Sequence, residues 1–407
     1  MLTVEKIYEA SAMLKGEVRR TDMLLSSNLA KECELYLKAE NLQITGSFKV
    51  RGACFKISQM TAEEKARGVV ACSAGNHAQG VAMAAKKNNI KSTIFLPSTA
   101  PISKIEATRR FGAEIELVEG VYDDAYQAAL KYQKETKAVF IHPFDDEQII
   151  AGQGTIGLEI LEQLPKVDAI IVPIGGGGLI SGISYIVKNL KPDCKVYGVQ
   201  ASGAASMLKS IEYKKRNALE SISTFADGIA VKYPGKLTYE LCSKYVDDIA
   251  SVSDDEIART ILTLMEKQKL VAEGAGAVSV AAALFDKFPL KGKKVCALIS
   301  GGNIDVNILS RVINRGLVAS GRLTNLTIEL LDRPGQLKDV LAIIAHQGAN
   351  VMRITHNREG SRTNITGCYL SVSMETKNHE HLKLIKDALT QKGYKILQNN
   401  NEYLGCD

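Results

Sequence analysis

The sequence predicts an α/β fold built on parallel sheets, followed by a smaller α+β unit. Three observations carry that expectation. Between 69 and 299, short β-branched runs alternate with longer helical stretches. Several of these runs end in loops rich in Gly, Ser and Asn, where ligands of parallel α/β folds bind. Beyond 325 the alternation is replaced by a different order of elements.

In chain order, GVVACS, STIFLP, AEIELVE, AVFIHPF, DAIIVPI and KVYGVQ read as buried strands. Amphipathic segments such as 122–137 lie between them, and strands joined by helices pair in parallel. A polar stretch at 320–325, SGRLTN, reads as a hinge within a pause that spans 317–325. After it come strand LTIELL, helix PGQLKDVLAIIAHQG, strands NVMRIT and GCYLSVSM, helix HLKLIKDALTQKG and strand YKIL. That order is a ferredoxin-like βαββαβ unit of about 80 residues, a domain in its own right.

A chain of 407 residues is too long for one ordinary core. Its 45% hydrophobic and 24% charged content suits a folded soluble protein throughout. The net charge of +6 is scattered among acidic residues and there is no Trp, which argues against a nucleic-acid surface. Eight cysteines without paired spacing support neither a disulfide framework nor a zinc site, so reduced cytosolic thiols are expected. Glu5, Lys6 and Glu9 rule out a secretory signal. The uncharged run 169–187 is broken by Pro173, four consecutive glycines and three hydroxyl residues, so no membrane association is expected.

Four segments carry chemistry. In Thr45-Gly46-Ser47-Phe48-Lys49-Val50-Arg51-Gly52, a lysine in small and apolar surroundings is placed to lose its proton by desolvation and act as a nucleophile. Alone, the segment also fits a surface lysine in a loop. Cys72-Ser73-Ala74-Gly75-Asn76-His77 precedes a helix, with Ser73 and Asn76 as caps beside amides that suit a carboxylate. An ordinary capped helix fits equally. Gly175-Gly176-Gly177-Gly178-Leu179 lies between a strand and a helix. Its entropic cost is best explained by a backbone nest for phosphate, and a plain tight turn is the rival reading. Ser300, at the end of the strand before Gly301-Gly302-Asn303, can hydrogen-bond a heterocycle nitrogen or simply cap. A fifth match, Gly152-Gln153-Gly154-Thr155-Ile156-Gly157, has the letters of a dinucleotide loop but follows a helix-like stretch, so these glycines are expected to let helices pack closely.

Together, in this order, the four segments resemble the β-family (fold type II) of pyridoxal-phosphate enzymes, most closely the threonine/serine dehydratases. The likeness covers about 1–320, and 325–402, with Asp332-Arg333-Pro334-Gly335 at its first turn, looks like an ACT regulatory domain. The resemblance implies two parallel-sheet αβα subdomains as in the tryptophan synthase β chain, the smaller at about 48–148 inserted in the larger. It implies pyridoxal 5'-phosphate bound covalently through Lys49 and flanked by Phe48. Asn76 would bond the phenolic oxygen; Gly175, Gly176, Gly177 and Gly178 with Leu179 would bind the phosphate; Ser300 would face the pyridine nitrogen. Ser73, Ala74, Gly75, Asn76 and His77 would hold the substrate carboxylate. Freed by the substrate amine, Lys49 would remove the α-proton, and threonine or serine would lose its β-hydroxyl to give ammonia and 2-oxobutanoate or pyruvate.

Two departures bear on the activity. Serine racemases carry a serine as second base where this chain has Ala74, so weak racemisation is expected. They also supply carboxylates for a divalent metal where this chain has Gln200 and Ser206, so no metal ligands are expected and a monovalent cation is left open. The alternatives are a racemase or β-replacement enzyme of the same fold, and a non-catalytic amino-acid-binding regulator. ACT-like domains pair across subunits and bind an amino acid, which implies a homodimer or homotetramer with an amino-acid effector, isoleucine and valine among the candidates.

Overall fold

The computed structural model describes residues 1–30, 32–358 and 367–397. The chain divides into two compact units, the first ending at Val306 and the second beginning at Asn307. The sequence pause at 317–325 therefore falls inside the second unit, because the helix Val306–Ala319 precedes it. Residues 398–402 of the expected last domain, and Cys406, lie outside the described residues.

The strands of the first unit are β1 (Met23–Leu25), β2 (Glu34–Ala39), β3 (Val69–Cys72), β4 (Ser92–Pro97), β5 (Glu114–Val118), β6 (Val139–Phe140), β7 (Ala169–Pro173), β8 (Lys195–Ala201), β9 (Asp248–Val252) and β10 (Lys294–Ile299). They form two sheets, one ordered β1-β2-β10-β7-β8-β9 and the other β5-β4-β3-β6. Every pairing is parallel except β1 against β2. All six runs are strands, β3 to β8 in order, but β5 and β6 lie at the sheet's two edges and are not buried, and the segment 122–137 is the helix Tyr122–Thr136.

Interior strands such as β3, β7 and β10 are apolar on both faces because helices cover both sides. The supposed dinucleotide loop lies inside the helix Glu147–Gln163. A methyl on Gly154 would stand 3.1 Å from the Gly182 carbonyl of the helix Gly178–Leu190, and one on Gly152 would stand 2.7 Å from the Gly52 Cα. These glycines let three helices approach backbone to backbone, as the sequence indicated.

A buried ionic cluster fixes the helix that carries Lys49. Two positions along the helix Lys49–Ser58, Arg51 donates from Nε and Nη2 to the two carboxylate oxygens of Glu40, at 2.9 and 2.7 Å. It also donates from Nη1 to Glu159 at 2.6 Å, and Lys38 of β2 reaches the other Glu159 oxygen at 2.6 Å. Carboxylates on two sides push the guanidinium far above its usual range, so it is permanently charged. A fork with both arms filled sets the rotation of this helix about its axis.

The second unit has the strands β11 (Leu323–Leu331), β12 (Asn350–Asn357), β13 (Gly367–Glu375) and β14 (Lys395–Leu397), all antiparallel in the order β12-β13-β11-β14. Helices Gln336–His346 and His379–Gln391 complete the βαββαβ topology. Alternate residues Leu326, Ile328 and Leu330 of β11 and Leu370, Val372 and Met374 of β13 form its core with Val340, Ile344, Ile385 and Leu389 from the helices.

Candidate functional site

Strand ends and helix starts of both sheets of the first unit converge on Lys49. The segment before it is stitched to the end of β10: Phe48 N–H donates to the Ser300 carbonyl at 3.1 Å, Gly302 N–H donates to the Gly46 carbonyl at 2.9 Å, and Ser47 forms an isolated bridge with Gly301. Asn303 closes the same junction, donating to the Thr45 carbonyl at 2.7 Å and to Asn76 Oδ1 at 2.8 Å. Lys49 is thus the first residue of a helix whose start is held by the strand that ends in Ser300.

The Lys49 amine lies 5.4 Å from the Phe48 ring centre and donates to the Pro143 carbonyl at 2.7 Å. Desolvation pulls it down to about 8, while the charge of Glu273 opposes the shift. The neighbour of Pro143 supports the tetraglycine turn. A methyl on Gly176 would stand 2.3 Å from the Phe144 ring, and one on Gly178 would stand 2.7 Å from the Phe144 carbonyl. Gly177 has φ +97, and Thr238 donates to the Gly176 carbonyl at 2.6 Å. One dipeptide therefore touches both the lysine amine and the glycine turn.

The helix Gly178–Leu190 starts at this turn, so its first amides, which have no helical acceptor, point where an anion would sit. A turn crowded against a Cβ at Gly176, Gly177 and Gly178, ahead of a helix start and joined through one dipeptide to a depressed lysine, fits a phosphate-bearing aldehyde. Leu179 is buried behind it, and the Ser300 hydroxyl, also buried, donates to the Ala275 carbonyl at 3.3 Å.

The loop 73–77 differs from the expectation in its capping. The helix Asn76–Lys87 is capped by Gly75 and not by a side chain of Ser73 or Asn76. Ser73 Oγ accepts from Gly75 N–H at 3.1 Å, which shapes the turn locally. Asn76 Nδ2 donates to Glu273 at 2.6 Å. The buried His77 ring donates from Nε2 to the Ile141 carbonyl at 2.8 Å, and burial drops it to about 3, so it is neutral and offers the loop only its backbone amide. A methyl on Gly75 would meet nothing within 4 Å, so the loop faces open space.

Glu273 is the site residue that sequence reasoning missed. It is buried, and desolvation reinforced by Asp227 raises it to about 8. Its signal was present: it is the only charged residue between Leu270 and Leu284, directly before the small-residue helix Gly274–Leu284. At the positions matched to racemase metal ligands, Gln200 spends its amide on the Ile174 and Ala204 carbonyls and on Leu208 N–H, and the Ser206 hydroxyl is buried without a partner among the described residues.

The chain is similar to an L-threonine ammonia-lyase of Thermotoga maritima, 52% identical over 398 residues, or 97% of this chain and 99% of that protein. In structure it resembles a maize serine racemase, with a TM-score of 0.74 and 35% identity over 78% of this chain and 98% of that one. A processed threonine deaminase isoform 2 from Solanum lycopersicum superposes with a TM-score of 0.71 at 34% identity, over 76% of this chain and 93% of that one. The family described as pyridoxal-phosphate dependent enzyme matches residues 14–301, a span that contains Lys49, the glycine turn and Ser300, and the chain belongs to that family.

Proposed function

We propose that the chain is a threonine ammonia-lyase that also accepts serine, with Lys49 as its catalytic residue. The observation that carries the reading is the amine of Lys49, depressed to about 8 and bonded to the Pro143-Phe144 dipeptide that packs against the glycine turn. When bound, pyridoxal phosphate supplies an electron sink that acidifies the α-carbon of an attached amino acid. The peptide amides of Gly175 to Gly178, with Leu179, would hold its phosphate, Phe48 would flank it, Asn76 would donate to its phenolic oxygen, and Ser300 would meet its ring nitrogen.

Amides of the loop Ser73, Ala74, Gly75, Asn76 and His77 fix the substrate carboxylate. With the carboxylate and amine both held, Lys49 Nζ takes the α-proton, since displacement by the substrate leaves that nitrogen free and close by. A neutral hydroxyl at Ser300 gives the ring nitrogen no counter-charge, which favours prompt loss of the β-hydroxyl over protonation elsewhere. The hydroxyl departs as water and a water is regained as the nitrogen leaves, so threonine yields 2-oxobutanoate and ammonia. Ala74 offers only a methyl group on the loop and cannot return a proton to the opposite face, which disfavours racemisation.

The second unit, with its βαββαβ topology, is proposed to act as an ACT-like sensor of an amino acid, in a homodimer or homotetramer. Among the described residues no helix is long and apolar enough to cross a membrane. The test is release of 2-oxobutanoate from threonine and of pyruvate from serine. Lys49→Ala is expected to abolish both and to remove the visible absorbance that borohydride would otherwise fix on that residue. Racemised serine without oxo acid would overturn the reading.

A further inference from the structure

The ends of three strands in the second unit bring an unlike set of side chains together. Asp332 follows β11, His356 is the penultimate residue of β12, and Cys368 is the second residue of β13. Their ligating atoms all lie within 4.8 Å of one another, with His356 Nε2 3.0 Å from Cys368 Sγ. The register explains the meeting. His356 pairs with Leu370 and Cys368 with Leu330, so Cys368 lies two residues before His356's partner on the same face of β13, and Asp332 lies two residues beyond Leu330.

We propose that Asp332, His356 and Cys368 form a binding site for a zinc-class divalent cation, with its fourth position open to water. The donor set selects the ion: one thiolate, one imidazole and one carboxylate match Zn2+, whereas calcium and magnesium take oxygen donors. Ligand atoms around tetrahedral zinc stand on the order of 3.5 Å apart, so closing the cluster needs shifts of roughly an ångström. Asp332 and His356 are exposed and free to make them, and the ion has an open route from solvent.

The surroundings favour a cation. Burial and the Asp332 carboxylate raise the Cys368 thiol, whereas an ion between the two groups would turn that repulsion into attraction. Among the described residues, Arg358 Nε pairs with Asp332 Oδ1 at 3.3 Å. That side chain is largely exposed, and a surface pair of this kind is weak, so a metal displaces it easily. An ion here would clip the ends of β11, β12 and β13 together. Cysteine spacing along the chain could not announce the site, because its ligands come from three strands.

The test uses untagged full-length enzyme with its cofactor, stripped by chelator, loaded with Zn2+ and desalted, with the metal counted by mass spectrometry. About one zinc per chain is expected to remain. Co2+ loading is expected to give four-coordinate d–d bands in the red, clear of the cofactor's own absorption. His356→Ala, on an exposed side chain that folding does not require, and Cys368→Ser should each weaken binding roughly ten-fold or more, while Lys49→Ala keeps the ion. No retained zinc, or the same retention in wild type and His356→Ala, overturns the site and leaves the proposed lyase reaction untouched.

Discussion

The amine of Lys49 must be neutral to attack a carbonyl. At its ordinary value of 10.5 only about one molecule in 3,000 is neutral at pH 7, whereas at about 8 the fraction is about a tenth. Capture of pyridoxal phosphate by cofactor-free protein should therefore speed up as pH rises and level off above about 8, as followed by stopped-flow absorbance. The ionised form of Glu273 holds this lysine up, and that buried carboxyl itself ionises only around 8, so the two groups titrate together and Glu273→Gln should leave a single inflection at lower pH. An unmoved inflection would separate Glu273 from the lysine. At this scale much of the site was legible: Lys49, the four glycines and Ser300 stand in runs whose composition is hard to explain otherwise. Pro143, Phe144 and Thr238 were not, because each acts through partners distant in the chain and none belongs to a glycine-rich run, while Glu273 had a signal, a lone charge before a small-residue helix, that went unread.

Among the elements, the glycine turn leaves little room for a side chain. A Cβ on Gly176 meets the Phe144 ring at 2.3 Å, and any retreat of Phe144 drags the Pro143 carbonyl that holds Lys49. Gly176→Ala is expected to weaken cofactor affinity by roughly 10- to 100-fold, or about 1.4–2.7 kcal/mol, measured by equilibrium titration. Adding Phe144→Leu should restore part of that loss. If the double variant binds no better than the single, the ring contact is not the cause. Strands with continuous apolar runs were readable, yet β2 was not, since Glu34 and Lys38 break the pattern of ELYLKA. Lys38 is tolerated in the interior only because Glu159, Gln163 and the Thr21 carbonyl surround its ammonium group, an arrangement that the strand alone cannot announce. β9, DIASV, is short and half polar and escaped for a similar reason.

At the scale of the whole molecule, the maize racemase covers 98% of its own length with 78% of this chain, so its fold closes without a counterpart of the remainder. A version ending at Ser320 is expected to keep most of its threonine turnover and to lose any response to branched-chain amino acids, as read from 2-oxobutanoate release with and without isoleucine. A truncated protein with no cofactor absorbance would show that the first unit depends on the second. The division into a parallel α/β part and a ferredoxin-like part was legible because strand order follows from the sequence of elements. Its boundary was less so, since the helix Val306–Ala319 continues the helical pattern of the first part while it belongs to the second.

The junction that seats Lys49 is tied by Asn303 to Thr45, 258 positions earlier. A ribosome delivers those two residues far apart in time, and such distant closures are slow. The nascent protein therefore has its glycine turn long before its lysine is locked in place, and a partly made chain should hold no coenzyme. Coenzyme capture therefore waits until the chain has grown past residue 303.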